Sequence, residues 1–137
     1  MFPQRINLIL YSTLAVVICY IDRVNISVAI IPMQEQFGWS DSQVGFIFSS
    51  FYMGYMLTMA LGGYLSDKFG GKRVLGWGVV LWSIFTILTP LAAHNGFFAL
   101  FLIRILMGIG EGVTFPAWHS LYARWIPFNE RTRAIAF

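Results

Sequence analysis

The chain has 137 residues, of which 58% are hydrophobic and 11% charged. Charged residues at less than half the ~25% of a soluble domain cannot cover a core of this size, so a water-soluble globular fold is excluded and an integral membrane protein expected. A net charge of +3 is too small to argue for nucleic acid as a partner, and the single cysteine, Cys19, excludes an internal disulfide and a Cys-rich metal site. Cys19 reads as a small packing residue.

Runs of about 17–25 apolar residues are long enough to cross a bilayer as helices. They fall at 6–31, 44–65, 74–93 and 97–118. None alternates, and each is about twice the length of a barrel strand, which excludes a β-barrel. The first run follows Arg5 and superficially resembles a signal peptide. It continues too far, and no small-residue cleavage site follows it, so it is read as a retained membrane helix. Pro32 is expected to close it. Ser40-Asp41 has the form of an N-cap for the second run, Gly70-Gly71 separates the second from the third, and Pro90 with His94-Asn95-Gly96 marks the third turn. His94 is expected in that loop. Residues 133–137 begin a fifth apolar stretch, too short to span. The sequence therefore reads as a fragment of a longer chain, or as one ending on the membrane surface.

Basic residues give an orientation. Arg5 precedes the first run, Lys68, Lys72 and Arg73 lie between the second and third, and Arg124, Arg131 and Arg133 follow the fourth. The other two connections carry no Lys or Arg. Both termini are therefore expected on the cytoplasmic side, in an inner or plasma membrane.

Four ionisable residues lie inside the apolar runs instead: Asp22, Arg23, Arg104 and Glu111. Each costs about 2.5–3.5 kcal/mol near the bilayer centre, and four unpaired ones would cost on the order of 10 kcal/mol. Such groups pair or face a polar cavity. At about 1.5 Å per residue, Asp22, Arg23 and Arg104 come to roughly the same depth, with Glu111 about 10 Å further in. Residues 104 and 111 share one face of the fourth helix, with Gly108 between them. Neighbouring Asp22 and Arg23 point about 100° apart, and Arg104 and Glu111 are two turns apart. Neither pair is self-sufficient, so pairing between helices around a wet cavity is expected. Gly45 and Gly54 in the second run, and Gly108, Gly110 and Gly112 in the fourth, offer close helix contact.

The connection Gly63-Tyr64-Leu65-Ser66-Asp67-Lys68-Phe69-Gly70-Gly71-Lys72-Arg73 closely resembles the signature loop of the major facilitator superfamily. Arg104 with Gly108 resembles an Arg-x-x-x-Gly pattern of that superfamily's fourth helix. Tyr20-Ile21-Asp22-Arg23-Val24-Asn25, the stretch from Arg104 to Pro116, and Trp125-Ile126-Pro127 with Glu130-Arg131 resemble its anion:cation symporter branch. That branch holds sugar-acid, sialic-acid, vesicular glutamate and phosphate transporters. Gly71 stands where the loop pattern usually has Arg, and Leu61 where a Pro often precedes the glycines of the second helix.

The resemblance implies an all-α polytopic bundle. This chain would supply the first four helices and the start of a fifth, near residue 133, of a twelve-helix fold, so that residues 1–137 form the N-terminal part of the N-domain. It implies no enzyme activity and no metal or other cofactor, with a proton or sodium as the coupling ion. The function it implies is alternating-access symport of an organic or inorganic anion. Arg23 would bind the anion, Tyr20 and Tyr55 would donate hydrogen bonds to it, and Asp22 and Glu111 would accept the proton, with Arg104 tuning Glu111. Gly63, Asp67, Gly70, Lys72 and Arg73 would form the signature loop. The partners implied are the lipid bilayer, a small anion and the C-terminal half of the same carrier. Rival readings are a self-contained four-helix multidrug exporter, a non-functional fragment, a structural or assembly subunit, and a membrane enzyme. Two scattered histidines, His94 and His119, and one cysteine supply no nucleophile–base set or metal site for the last.

Overall fold

The turns between the long helices are set by local chemistry. A computed structural model describes residues 3–136, which form six helices. They are α1 (Pro3–Phe37), α2 (Asp41–Phe69), α3 (Gly71–Asn95), α4 (Phe97–Gly112), α5 (Thr114–Trp125) and α6 (Phe128–Ala136). α5 continues α4, so four helical stretches are long and apolar enough to cross a membrane. The all-helical bundle is the expected fold class.

Each of the three long-helix connections turns on a glycine with positive φ: Gly38 at 66°, Gly70 at 88° and Gly96 at 120°. Side chains with a Cβ rarely adopt that backbone. Ser40 caps α2 as expected: its hydroxyl accepts from the Gln43 amide (3.3 Å), and Gln43 Oε1 accepts from the Ser40 amide (3.0 Å).

Several boundaries differ from the sequence reading. Pro32 does not close α1, which runs on to Phe37. A proline removes one helical hydrogen bond, and the polar Gln34–Gln36 turn beyond it is tied down, Gln34 Nε2 donating to Asp41 Oδ1 at 2.7 Å. Pro90 likewise lies inside α3, and the reversal falls on Gly96 alone. His94 is helical, not in a loop: its ring bonds the Pro90 carbonyl (3.1 Å) and meets the Phe37 ring edge-on. The fourth span is interrupted at Val113, between Glu111 and Pro116. Pro116 cannot donate to the Gly112 carbonyl, which releases the ladder there. α6 begins at Phe128 rather than near 133, because Ile126, held extended before Pro127, ends α5.

α4 is the centre of the bundle, packing chiefly on α2 and α3. Glycine makes this possible. A Cβ on Gly108 would strike the Phe51 carbonyl, one on Gly54 the Ile105 carbonyl, and one on Gly112 the Tyr55 carbonyl at 2.6 Å. Gly110, on another face, meets Trp82 of α3, and Gly78 of α3 returns the contact to Gly110. Gly45 takes no part: space around it is open.

Buried side chains form three layers. One end holds Ile30, Trp39, Ile47, Ala92, Ala93 and Leu100. The middle holds Cys19, Phe51, Trp82 and Met107, which makes Cys19 the packing residue expected. The other end, where the basic residues gather, holds Tyr122 and Ile126 against Leu8, Ile9 and Trp118.

Candidate functional site

The middle layer carries the charges. Arg23 of α1 and Glu111 of α4 form a salt bridge, Nε donating to Oε2 at 3.0 Å. Glu111 is fully buried, and Arg23 is 19% exposed. Axial arithmetic had placed Glu111 well below Arg23. Side chains of a helix lean toward its N-terminus, and α1 and α4 run antiparallel. Arg23 therefore leans toward the basic end while Glu111 leans up to meet it, and the long guanidinium stem closes the gap.

Arg104 does not touch Glu111. Its Nη1 points at Met107 Sδ (3.2 Å), and it is 3% exposed. Its neighbour is the chamber of Asp22, a cavity of about 140 Å³ also lined by Asn25, Thr86, Thr89 and Pro90. The hydroxyls of Thr86 and Thr89 donate to the Trp82 and Phe85 carbonyls, each at 2.8 Å, which leaves their lone pairs free for a guest. Asp22 and Arg23 do not pair, as their divergence on the helix requires. The two run back to back, one into this chamber and one to Glu111.

Aromatic rings complete the site. The Arg23 guanidinium lies 4.6 Å from the Tyr55 ring centroid and 5.4 Å from both Tyr20 and Phe51. Arg104 stacks on Phe51 at 4.9 Å. One buried ring therefore serves two cations. Tyr20 and Tyr55 thus flank Arg23. Among the described residues Arg23 Nη2, Arg104 Nε and Glu111 Oε1 are buried with no hydrogen-bond partner, so the site has unused donors and an unused acceptor.

Phe51, Thr86 and Thr89 were missed from sequence. Phe51 had a signal, lying one turn before Tyr55 on the same face. The threonines had only their polarity in an apolar run.

The signature loop lies at the basic end, apart from this site. Gly63 is inside α2 with open space at its Cβ, and Gly70 makes the turn. Asp67, Lys72 and Arg73 are exposed, and among the described residues Asp67 makes no salt bridge. Its backbone carbonyl accepts from Arg124 Nη2 (3.3 Å), which links the loop to the end of α5. Gly71, in place of the usual Arg, packs on the Ala117 carbonyl, leaving no room there for a side chain.

Comparison with known proteins gives the family. Residues 12–137 match the model of the Major Facilitator Superfamily. The chain is 52% identical over 135 residues to "Probable anion transporter 4, chloroplastic" of Oryza sativa subsp. japonica, covering 98% of this chain and 23% of that one. It is 50% identical to "Ascorbate transporter, chloroplastic" and 49% to "Sodium-dependent phosphate transport protein 1, chloroplastic", both of Arabidopsis thaliana. Each match covers 98% of this chain, and 25% and 26% of the respective relative. The chain thus spans about a quarter of the length of these relatives. It is a multi-pass integral membrane protein and belongs to the major facilitator superfamily.

Proposed function

We propose that the chain is the N-terminal part of a carrier that moves a small anion across a bilayer by alternating access, coupled to a proton. The observation that carries this reading is the Arg23–Glu111 salt bridge between α1 and α4. Removing one partner of a buried pair leaves an uncompensated charge, at a cost of about 3–5 kcal/mol. An anion that takes the Arg23 guanidinium therefore has to be accompanied by something that neutralises Glu111, and a proton does this. Competition for one guanidinium couples the two ligands, and by linkage the coupling works in both directions.

In this reading Arg23 binds the carboxylate or phosphate through its planar donor fork, and Tyr20 and Tyr55 donate hydrogen bonds to it. Asp22 is the second proton acceptor, in its chamber with Arg104. The names of the relatives, which include anion, ascorbate and phosphate transporters, support an anionic substrate. The name of one makes sodium the alternative coupling ion. The bilayer and the remaining helices of the same carrier are the partners, and the basic end faces the cytoplasm or its equivalent. The membrane is an inner or plasma membrane by helix composition, or a plastid membrane by the relatives' names.

The test uses the full-length protein in sodium-free proteoliposomes with an imposed proton gradient. Glu111→Gln should abolish accumulation against a gradient while substrate–substrate exchange persists; continued accumulation rejects Glu111 as the coupling site. Arg23→Ala should remove substrate binding, and an unchanged affinity rejects its role. Accumulation driven by sodium alone, and not by protons, overturns the proton assignment.

A further inference from the structure

We propose that a file of ordered water runs from Glu111 to the basic end of the bundle along one face of α4 and α5, and is the path by which Glu111 exchanges its proton with that side. This deepens the coupling reading above and rests on it.

Three buried polar atoms without a hydrogen-bond partner among the described residues fall on that face: Glu111 Oε1, Thr114 Oγ1 and Trp118 Nε1. Thr114, Trp118 and Tyr122 are spaced by four along α5, which keeps them on one side of that helix, and Glu111 lies three residues before Thr114, across the break at Val113. Packing joins its lower members. Trp118 and Tyr122 rings lie 4.8 Å apart, and Leu8 and Ile9 of α1 pack against the same Tyr122–Ile126 cluster as Trp118. At its foot the Tyr122 hydroxyl meets Ser12 Oγ of α1 at 2.9 Å, both buried. Ser12 is in turn anchored to the Leu8 and Ile9 carbonyls. The line covers about 16 Å of helix axis.

A buried polar group left unpaired is costly, and native structures answer it with a partner or a water. Three on one line, ending at a hydroxyl pair, are best answered by waters bonded to each other as well as to the wall. Hydroxyls of Thr114, Tyr122 and Ser12 each accept a proton and release one, so they relay. The Trp118 N–H only donates, so it holds a water in place. In transfer, the Glu111 O–H bond breaks and each member of the file passes one proton on. The last, Ser12, releases it into the cavity that it lines with Gln4, Asn7 and Lys72 of the basic end, and the carboxylate returns to Arg23. The titratable or charged groups facing Glu111 are Arg23, Cys19 and Asp22 from α1 and Arg104 from α4 itself. None lies on the file.

The same full-length proteoliposomes test it, with Thr114→Val and Tyr122→Phe, which nearly keep volume and remove the polar atom, and Trp118→Phe, which removes the N–H along with part of the ring. Each should slow proton-driven net uptake about a hundredfold, the low end of what a positioned proton-transfer group supplies. Exchange, which needs no net proton transfer, should keep its rate, and Thr114→Ser should restore uptake. Unchanged uptake in all three variants overturns the file. So does a parallel loss of uptake and exchange, which marks the residues as packing only. If Glu111→Gln itself still accumulates substrate, the coupling reading has failed, and that result is distinct from intact coupling with an inert file.

Discussion

Phe51 is a single apolar residue shared by two cations of the candidate site. Two guanidiniums, of Arg23 and Arg104, lie within 5.4 and 4.9 Å of its ring, and Gly108 packs against its backbone carbonyl. A desolvated cation–π contact contributes about 2 kcal/mol, and here one ring supplies two. Phe51→Leu keeps hydrophobic bulk and removes both. It should lower the thermal midpoint of the purified full-length carrier and weaken substrate affinity, while Phe51→Tyr should leave both close to wild type. Equal behaviour of the two variants in melting and binding assays would mean that the ring only fills space. Arg23→Lys makes a companion test: it keeps the charge but loses the stacking plane and the fork, so binding should fall even though the site stays neutral. The proposed participants Asp22, Arg23, Arg104 and Glu111 were legible as residues because charge in an apolar run has to be paired or face a polar cavity. Their pairing was not. Depth arithmetic treats side chains as points on an axis, and the Arg23–Glu111 bridge depends on two side chains leaning toward each other from antiparallel helices.

At the scale of helices, glycine separates packing from signature. Gly54, Gly108 and Gly112 let α2 and α4 meet backbone to backbone, and a Cβ at Gly54 or Gly108 would overlap a carbonyl oxygen of the other helix. Gly54→Ala and Gly108→Ala should each force the helices apart and reduce the yield and melting temperature of the full-length protein, by an amount typical of core overpacking, about 1–3 kcal/mol. Gly45→Ala and Gly63→Ala have open space and should fold normally. Gly63→Ala is the informative one. A loss of transport without a loss of stability would show that Gly63 serves a contact made by another part of the carrier. Helix starts such as Ser40–Gln43 were readable, because a capping box is closed by residues three apart. Helix ends near Pro32 and Pro90 were misread, because a proline forbids only one hydrogen bond and the turn belongs to the residue that can take positive φ. The break at Val113 had its signal in Gly112 and Pro116, but the apolar run passes through it without change of hydropathy.

For the molecule as a whole, antiparallel succession sorts the chain into two unlike ends. The start of α1, the α2–α3 turn and the end of α5 share one end, and with α6 they carry Arg5, Lys68, Lys72, Arg73, Arg124, Arg131 and Arg133. The opposite end, at Gly38 and Gly96, has no Lys or Arg in its turns. The fold class and this sorting were legible from run lengths and charge placement, since both follow from the bilayer rather than from packing detail. The proposed orientation rests on the same asymmetry, each cation near a short loop favouring retention on the inner side. Lys72→Cys and Asn95→Cys test it directly, because both residues are exposed and lie at opposite ends, while the native Cys19 is buried. In intact cells expressing the full-length protein, a membrane-impermeant maleimide should label the variant at position 95 and spare the one at 72 until the membrane is opened. The reverse pattern would turn the bundle over. The 140 Å³ chamber of Asp22 and Arg104 would then face inward, and the file below Glu111 would lead out of the cell rather than into it.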